Sequence, residues 1–200
     1  MTTIMVVEDQ RLVRDAIATL LSLEEDIDVV AKCEDGQAAI DWLATNPPPE
    51  VILSDIEMPK VSGLSLAESL KNTNQSKFVI MTTFAKPGYI NRALKAGVVG
   101  FILKEADSEY LLKSIQTVVA GNKVIEPELA MMALEDTNPL STKEAKALAL
   151  ASEGLKTKEV AERLFLSEGT IRNYFSEAIS KLNATNRADA ARIAKQKGWL

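Results

Sequence analysis

The sequence predicts an α/β protein, a five-stranded doubly wound parallel sheet followed by a small all-α domain. Short uncharged apolar runs alternate with amphipathic stretches over roughly the first 120 residues, the order expected of repeated strand-helix-strand units. From Leu140 onward no strand pattern remains, and apolar residues recur only at helical spacing. Charge divides at the same place. Residues 1–137 carry 12 basic and 21 acidic side chains and residues 138–200 carry 11 and 7, so the formal net charge of −5 averages an acidic part at −9 and a basic part at +4. Gly121 to Pro139, broken by Gly, Asn, two prolines and Asp-Thr-Asn, reads as the boundary. Domains are therefore expected at 1–120 and 138–200, with a linker at 121–137 in which Glu128 to Leu134 is open to helix.

In chain order, Ile4-Met5-Val6-Val7 is a buried strand, and Leu12, Val13, Ala16, Ile17, Leu20 and Leu21 follow at helical spacing. A second strand is expected at Ile27 to Ala31 and a helix at Gly36 to Ala44. The third pair is Val51-Ile52-Leu53 and Leu64 to Leu70, the fourth Phe78 to Met81 and Ile90 to Lys95. Phe101-Ile102-Leu103 and the helix carrying Leu111, Leu112, Ile115, Val118 and Val119 close the series. In the second domain Ser141 with Glu144 three residues on is a capping-box opening. That helix runs to about Glu153 and stops at Gly154. Lys158 to Leu164 and a helix beginning at Glu168 after the capping Ser167 are two helices joined by a tight turn, a helix-turn-helix candidate.

Composition narrows the chemistry. The chain has no histidine, which excludes Ser-His-Asp triads, histidine metal sites and imidazole acid–base catalysis. One cysteine, Cys33, excludes internal disulfides and cysteine-rich zinc sites. No early stretch has the order of a signal peptide and no uncharged apolar run approaches membrane-spanning length. The expectation is a cytoplasmic protein with no membrane insertion.

In doubly wound sheets ligands gather at the carboxyl ends of the strands. Those ends carry Glu8-Asp9, Asp55, Thr82-Thr83 and Lys104. Converging carboxylates repel unless a cation completes them, and an all-oxygen set with few protein ligands suits Mg²⁺. A hydroxyl and an ammonium on the same rim suit phosphate oxygens. The absence of a glycine-rich phosphate loop leaves nucleotide binding without support.

Glu8-Asp9, the run Ser54-Asp55-Ile56-Glu57-Met58-Pro59 with Gly63, Thr82, Ala96-Gly97, and Phe101 three residues before Lys104 resemble the flavodoxin-like receiver domain of bacterial two-component response regulators. The resemblance covers about the first 120 residues. It implies that Asp55 accepts a phosphoryl group from a sensor histidine kinase. Mg²⁺ would be held by Asp9 and Asp55 directly, by Glu8 through water and by the Glu57 backbone carbonyl. Lys104 and Thr82 would contact the phosphoryl oxygens, and Phe101 would turn inward with Thr82 as the switch. Glu105, where Pro or Asp is frequent, departs from the family pattern.

Leu140 to Glu144, Ala151 to Thr157, Glu159-Val160-Ala161, Leu166 to Asn173 and Lys181-Leu182 are similar to the LuxR-type helix-turn-helix of NarL/FixJ regulators. That likeness covers 138–200. It implies double-stranded promoter DNA as partner, with Arg172, Asn173 and Ser176 at bases and Thr170 and Lys181 at phosphates. Within 183–194 it implies a dimerising fourth helix. Tyr174 and Glu177 stand where His and Asn are common. Thr82 to Tyr89 with Gly198-Trp199-Leu200 further resembles the subgroup that includes a membrane-lipid desaturase regulator.

The expectation is a regulator that dimerises when phosphorylated and then binds DNA, not an enzyme beyond slow autodephosphorylation. The first, last or fourth receiver helix could form the dimer. Two other uses of these residues stay open at this point: a phosphate-ester hydrolase with Asp55 as transient nucleophile, and a constitutive DNA-binding dimer whose first domain is only a platform.

Overall fold

The computed structural model describes residues 1–71, 75–83, 87–135 and 138–200. Two compact units emerge, one of Met1–Ala85 with Ile90–Met132, the other of Ala133–Leu200 with Lys86–Tyr89. Of the segment Thr82 to Tyr89, residues 84–86 lie outside the described residues, as do 136 and 137 at the end of the expected linker.

The first unit is built on strands β1 (Thr2–Val7), β2 (Ile27–Cys33), β3 (Val51–Asp55), β4 (Lys77–Thr82), β5 (Gly100–Leu103) and β6 (Val124–Ile125). They form one sheet in the order β2-β1-β3-β4-β5-β6, with every pairing parallel. β1 and β3 are the neighbours at which the strand order reverses, and a crevice opens there at the carboxyl ends. Ile4 to Val7 and all of β3 are buried, as parallel strands covered on both faces must be. Its helices are α1 (Arg11–Leu21), α2 (Gly36–Leu43), α3 (Gly63–Leu70) and α5 (Ser108–Val119), with α4 (Pro87–Ala96) from Ile90 onward and α6 (Pro127–Glu135) as far as Met132. Ile17 and Leu21 of α1 pack with Leu111, Ile115 and Val118 of α5 over Ile4, Leu53, Val79 and Ile102. Side chains of Asp35, Ser62 and Asp107 cap α2, α3 and α5.

The sheet has six strands rather than five. Val124–Ile125 lies in the expected linker, yet it pairs in parallel with β5 at Gly100↔Val124 and Phe101↔Ile125. The Glu126 carboxylate extends the pairing by accepting from the Leu103 N–H at 3.2 Å. Two apolar residues between Lys123 and Pro127 have no period of their own. Only the open edge of β5 makes them a strand.

The second unit contains α7 (Thr142–Ser152), α8 (Thr157–Leu164), α9 (Glu168–Lys181) and α10 (Arg187–Gln196). Ser141 and Glu144 form the capping box at the start of α7. Ala147, Leu148, Val160, Ile171, Phe175 and Ala194 meet in one core, the apolar stripes of four short amphipathic helices turned inward.

Candidate functional site

The carboxyl ends of β1, β3, β4 and β5 bring their side chains to one spot. Lys104, immediately after β5, places Nζ 2.6 Å from Glu8 Oε2 and 2.9 Å from Asp55 Oδ2. Asp55 Oδ1 accepts from the Ile56 N–H at 2.6 Å, leaving the carboxylate fixed at both oxygens and 7% exposed. The Lys104 N–H donates to the Thr82 carbonyl at 2.8 Å, which ties the ends of β4 and β5 together beneath the ammonium. Thr82 is buried, as is Phe101 at 0% exposure on the neighbouring strand. Burial of Phe101 suits an inward aromatic and equally a core residue.

Glu8, Asp9 and Asp55 can each offer a ligand oxygen with all three atoms within 4.8 Å of one another. Glu8 Oε2 is buried with no hydrogen bond of good geometry among the described residues, and it is ion-paired with the Lys104 ammonium at 2.6 Å. Burial pushes the Glu8 carboxyl up, Lys104 partly offsets this, and the charge of Asp55 adds to the rise. Burial by itself would push Lys104 down, but hydrogen bonds and charge from Glu8 and Asp55 outweigh it and raise the ammonium above its ordinary value. Three hard oxygen donors with one under-satisfied buried oxygen fit a divalent cation such as Mg²⁺. Glu57 is exposed, and its carboxylate is outside that cluster.

Ionising Glu8 in the folded chain therefore carries a net cost. Its folded value lies above the ordinary 4.5, so stability falls as pH rises through the interval between the two. Glu8→Gln is expected to raise the melting temperature of the first unit in metal-free buffer at neutral pH, read by calorimetry. A lower melting temperature would show that the pair with Lys104 outweighs the burial.

Two further contacts support the pocket, one made by a side chain and one by the close approach of a glycine. The Arg14 guanidinium donates to the Glu8 carbonyl at 2.5 Å, anchoring the turn after β1. Gly63 opens α3 against the end of β3: a Cβ there would lie 1.9 Å from the Asp55 carbonyl oxygen and 2.7 Å from Ser54 Oγ. Arg14 carries no motif of its own. Gly63 belongs to the quoted receiver pattern, but its close approach is a three-dimensional fact.

On the second unit, Arg172, Asn173 and Ser176 are exposed on α9 opposite buried Ile171, Phe175 and Ala178. Thr170 Oγ1 lies 2.9 Å from Ser167 Oγ at the start of the helix. Arg172 pairs with Glu168 one turn back at 2.8 Å. Lys181 is placed differently from the other four. Its ammonium sits 2.9 Å from both carboxylate oxygens of Glu144. Burial would raise the Glu144 carboxyl, but Lys181 and Ser141 more than reverse this and hold it below 4.5. That arrangement contributes stability above the ordinary value, lost as pH falls through the lowered one.

Residues 4–116 match the response regulator receiver domain, and residues 138–194 match the bacterial regulatory proteins of the luxR family. The chain belongs to the response regulators. It is 45% identical over 201 residues to the transcriptional regulatory protein YvfU of Bacillus subtilis strain 168, and 43% identical over 200 residues to the transcriptional regulatory protein DesR of the same strain. Both alignments cover 100% of each chain. Among solved structures, the response regulator ChrA of a heme-sensing two-component system resembles it with a TM-score of 0.57 and 28% identity. That match covers 100% of this chain and 98% of ChrA. The regulator is therefore a DNA-binding transcription factor with a receiver domain, not an enzyme dedicated to an outside substrate. Among its described residues no helix is long and apolar enough to cross a membrane.

Proposed function

We propose that Asp55 is the phosphoryl acceptor and that its modification drives dimerisation and promoter binding in the cytoplasm. The observation that carries this is the Lys104 ammonium held between Glu8 and Asp55, beside a carboxylate cluster that could hold a cation. The regulator has no histidine, so a phosphohistidine donor must belong to another molecule, a sensor kinase. Asp55 Oδ2 attacks the phosphorus; the phosphorus–nitrogen bond of the donor breaks, and its electron pair leaves with the imidazole. Asp9 and Asp55 would hold Mg²⁺ directly, with Glu8 through water and the Glu57 carbonyl completing the set, and the ion would neutralise the phosphoryl charge. Lys104 pairs with one transferred oxygen and Thr82 donates to another. Thr82 and Phe101 then carry the change to the surface. Slow autodephosphorylation resets the site, with the exposed Glu57 carboxylate tuning its rate.

A largely apolar cleft of about 220 Å³ is lined by Val13, Ala16 and Leu20 of α1, Leu111 of α5 and Lys104 after β5 among others, and Leu12 of α1 is exposed. This favours the first and last receiver helices as the dimer surface. Two linked helix-turn-helix modules then bind paired half-sites with the added strength of avidity. Gel-shift titration of the full chain with and without a small phosphodonor tests the switch. Equal affinity and equal oligomeric state in both would sink it.

On DNA, Arg172, Asn173 and Ser176 read bases while Thr170 and Lys181 hold phosphates. Lys181 reaches a phosphate only by releasing Glu144. Lys181→Met is accordingly expected to lower the stability of the second unit by about 1 kcal/mol and to reduce the salt slope of DNA binding by about one. Lost stability with an unchanged slope would remove Lys181 from the contact set and leave it as the partner of Glu144.

A further inference from the structure

Phe165 departs twice from what a soluble turn requires. It closes α8 in the left-handed conformation, at φ 55° and ψ 44°, where glycine avoids the Cβ penalty and asparagine offsets it by local hydrogen bonding. Its ring is also 94% exposed, more than Leu166 beside it at 38%. Closing the helix uses only its backbone. The Phe165 N–H donates to the Glu162 carbonyl at 3.2 Å, and the Leu166 N–H to Ala161 at 2.9 Å. The side chain has no part in either bond and almost no packing.

Position suggests its use. Phe165 lies two residues before Ser167, the N-cap of α9, and the N-terminal end of the second helix in such a motif is the part that enters the major groove. The residues around this turn include Arg163 in the last turn of α8, and residues 138–200 carry an excess of four positive charges. A polyanion is the complementary surface. Between its phosphates a duplex offers apolar deoxyribose faces and thymine methyl groups, which an aromatic ring can cover.

We infer that Phe165 contacts DNA, its ring packing on the sugar and thymine-methyl edge beside the groove that α9 enters. This rests on the reading of α8 and α9 as a duplex-binding motif. The contact adds apolar burial to binding otherwise dominated by charge and hydrogen bonds. It also accounts for a phenylalanine in a backbone conformation that favours glycine.

The test uses the full-length regulator with a phosphodonor and a labelled duplex that the wild-type chain selects from a random-sequence pool. Phe165→Gly and Phe165→Asn both keep the left-handed turn and remove the ring. Each is expected to bind about tenfold more weakly, with the salt slope unchanged because an apolar contact releases no counterions. The unfolding midpoint of the second unit, followed by Trp199 fluorescence, stays level or rises, and Phe165→Tyr binds as wild type. Wild-type affinity in both ring-less variants overturns the inference, as does a fall in their midpoint, which would make the ring structural. Unchanged DNA affinity with lost promoter output would assign the ring to a protein of the transcription machinery, also overturning it. A wild-type chain that retains no duplex from the pool overturns the DNA reading itself, a result distinct from all of these.

Discussion

Asp55→Asn is expected to abolish stoichiometric labelling by a phosphodonor, lowering incorporation at least about a hundredfold, and to leave DNA affinity at its unphosphorylated level. The asparagine carbonyl can still accept from the Ile56 N–H, the bond that Asp55 Oδ1 makes at 2.6 Å, so the fold around the site is retained. The oxygen 2.9 Å from Lys104 Nζ is what changes. An amide nitrogen there is neither a nucleophile nor a partner for an ammonium. Labelling with a radioactive small-molecule donor, followed by a check that the label is lost in alkali as an acyl phosphate should be, measures the effect. Label persisting on the variant would place the acceptor elsewhere, and continued turnover of phosphate esters would restore the hydrolase alternative. Full DNA control without any labelling would favour the constitutive platform.

Gly63→Ala is expected to destabilise the first unit by about 3 kcal/mol and to slow phosphorylation by roughly a hundredfold. The added methyl would lie 1.9 Å from the Asp55 carbonyl oxygen and 2.9 Å from its carbonyl carbon, and both are backbone atoms. Neither can turn aside as a flexible side chain would. The Gly63 N–H also donates to the Ile56 carbonyl at 3.1 Å, and Ser54 Oγ donates to the Asp55 carbonyl at 2.8 Å, so α3 and the end of β3 move as one piece. Relief of the clash therefore displaces the acceptor itself. Urea unfolding followed by Trp42, in a Trp199→Phe background to isolate the first unit, would report the stability change. An unshifted midpoint with wild-type labelling would show that the loop yields at no cost.

Most of the fold was legible because its strands are buried on both faces. Ile4 to Val7 and Val51 to Leu53 read as uninterrupted apolar runs, and the caps at Ser141 and Ser167 use side chains that announce helix starts. The acidic site was legible for a related reason: a strand that ends in a carboxylate shows it in one dimension, and the topology brings such ends together. β6 was not legible, since Val124–Ile125 acquires strand character only from the edge of β5. Nor was the partner of Lys181, because Glu144 lies 37 residues away and the pairing follows from how α7 packs on α9.

By itself the sequence determined the alternation that builds a parallel sheet, the charge division between two domains, and the absence of any histidine to serve as an internal phosphodonor. These are properties of local pattern and composition, independent of how elements meet. Tertiary structure decided which groups share a spot. It put Lys104 within ion-pairing distance of Glu8 and Asp55, set Gly63 against the backbone of Asp55, and gave Lys181 a carboxylate partner. Those outcomes depend on distances between residues far apart in the chain, which only packing can specify.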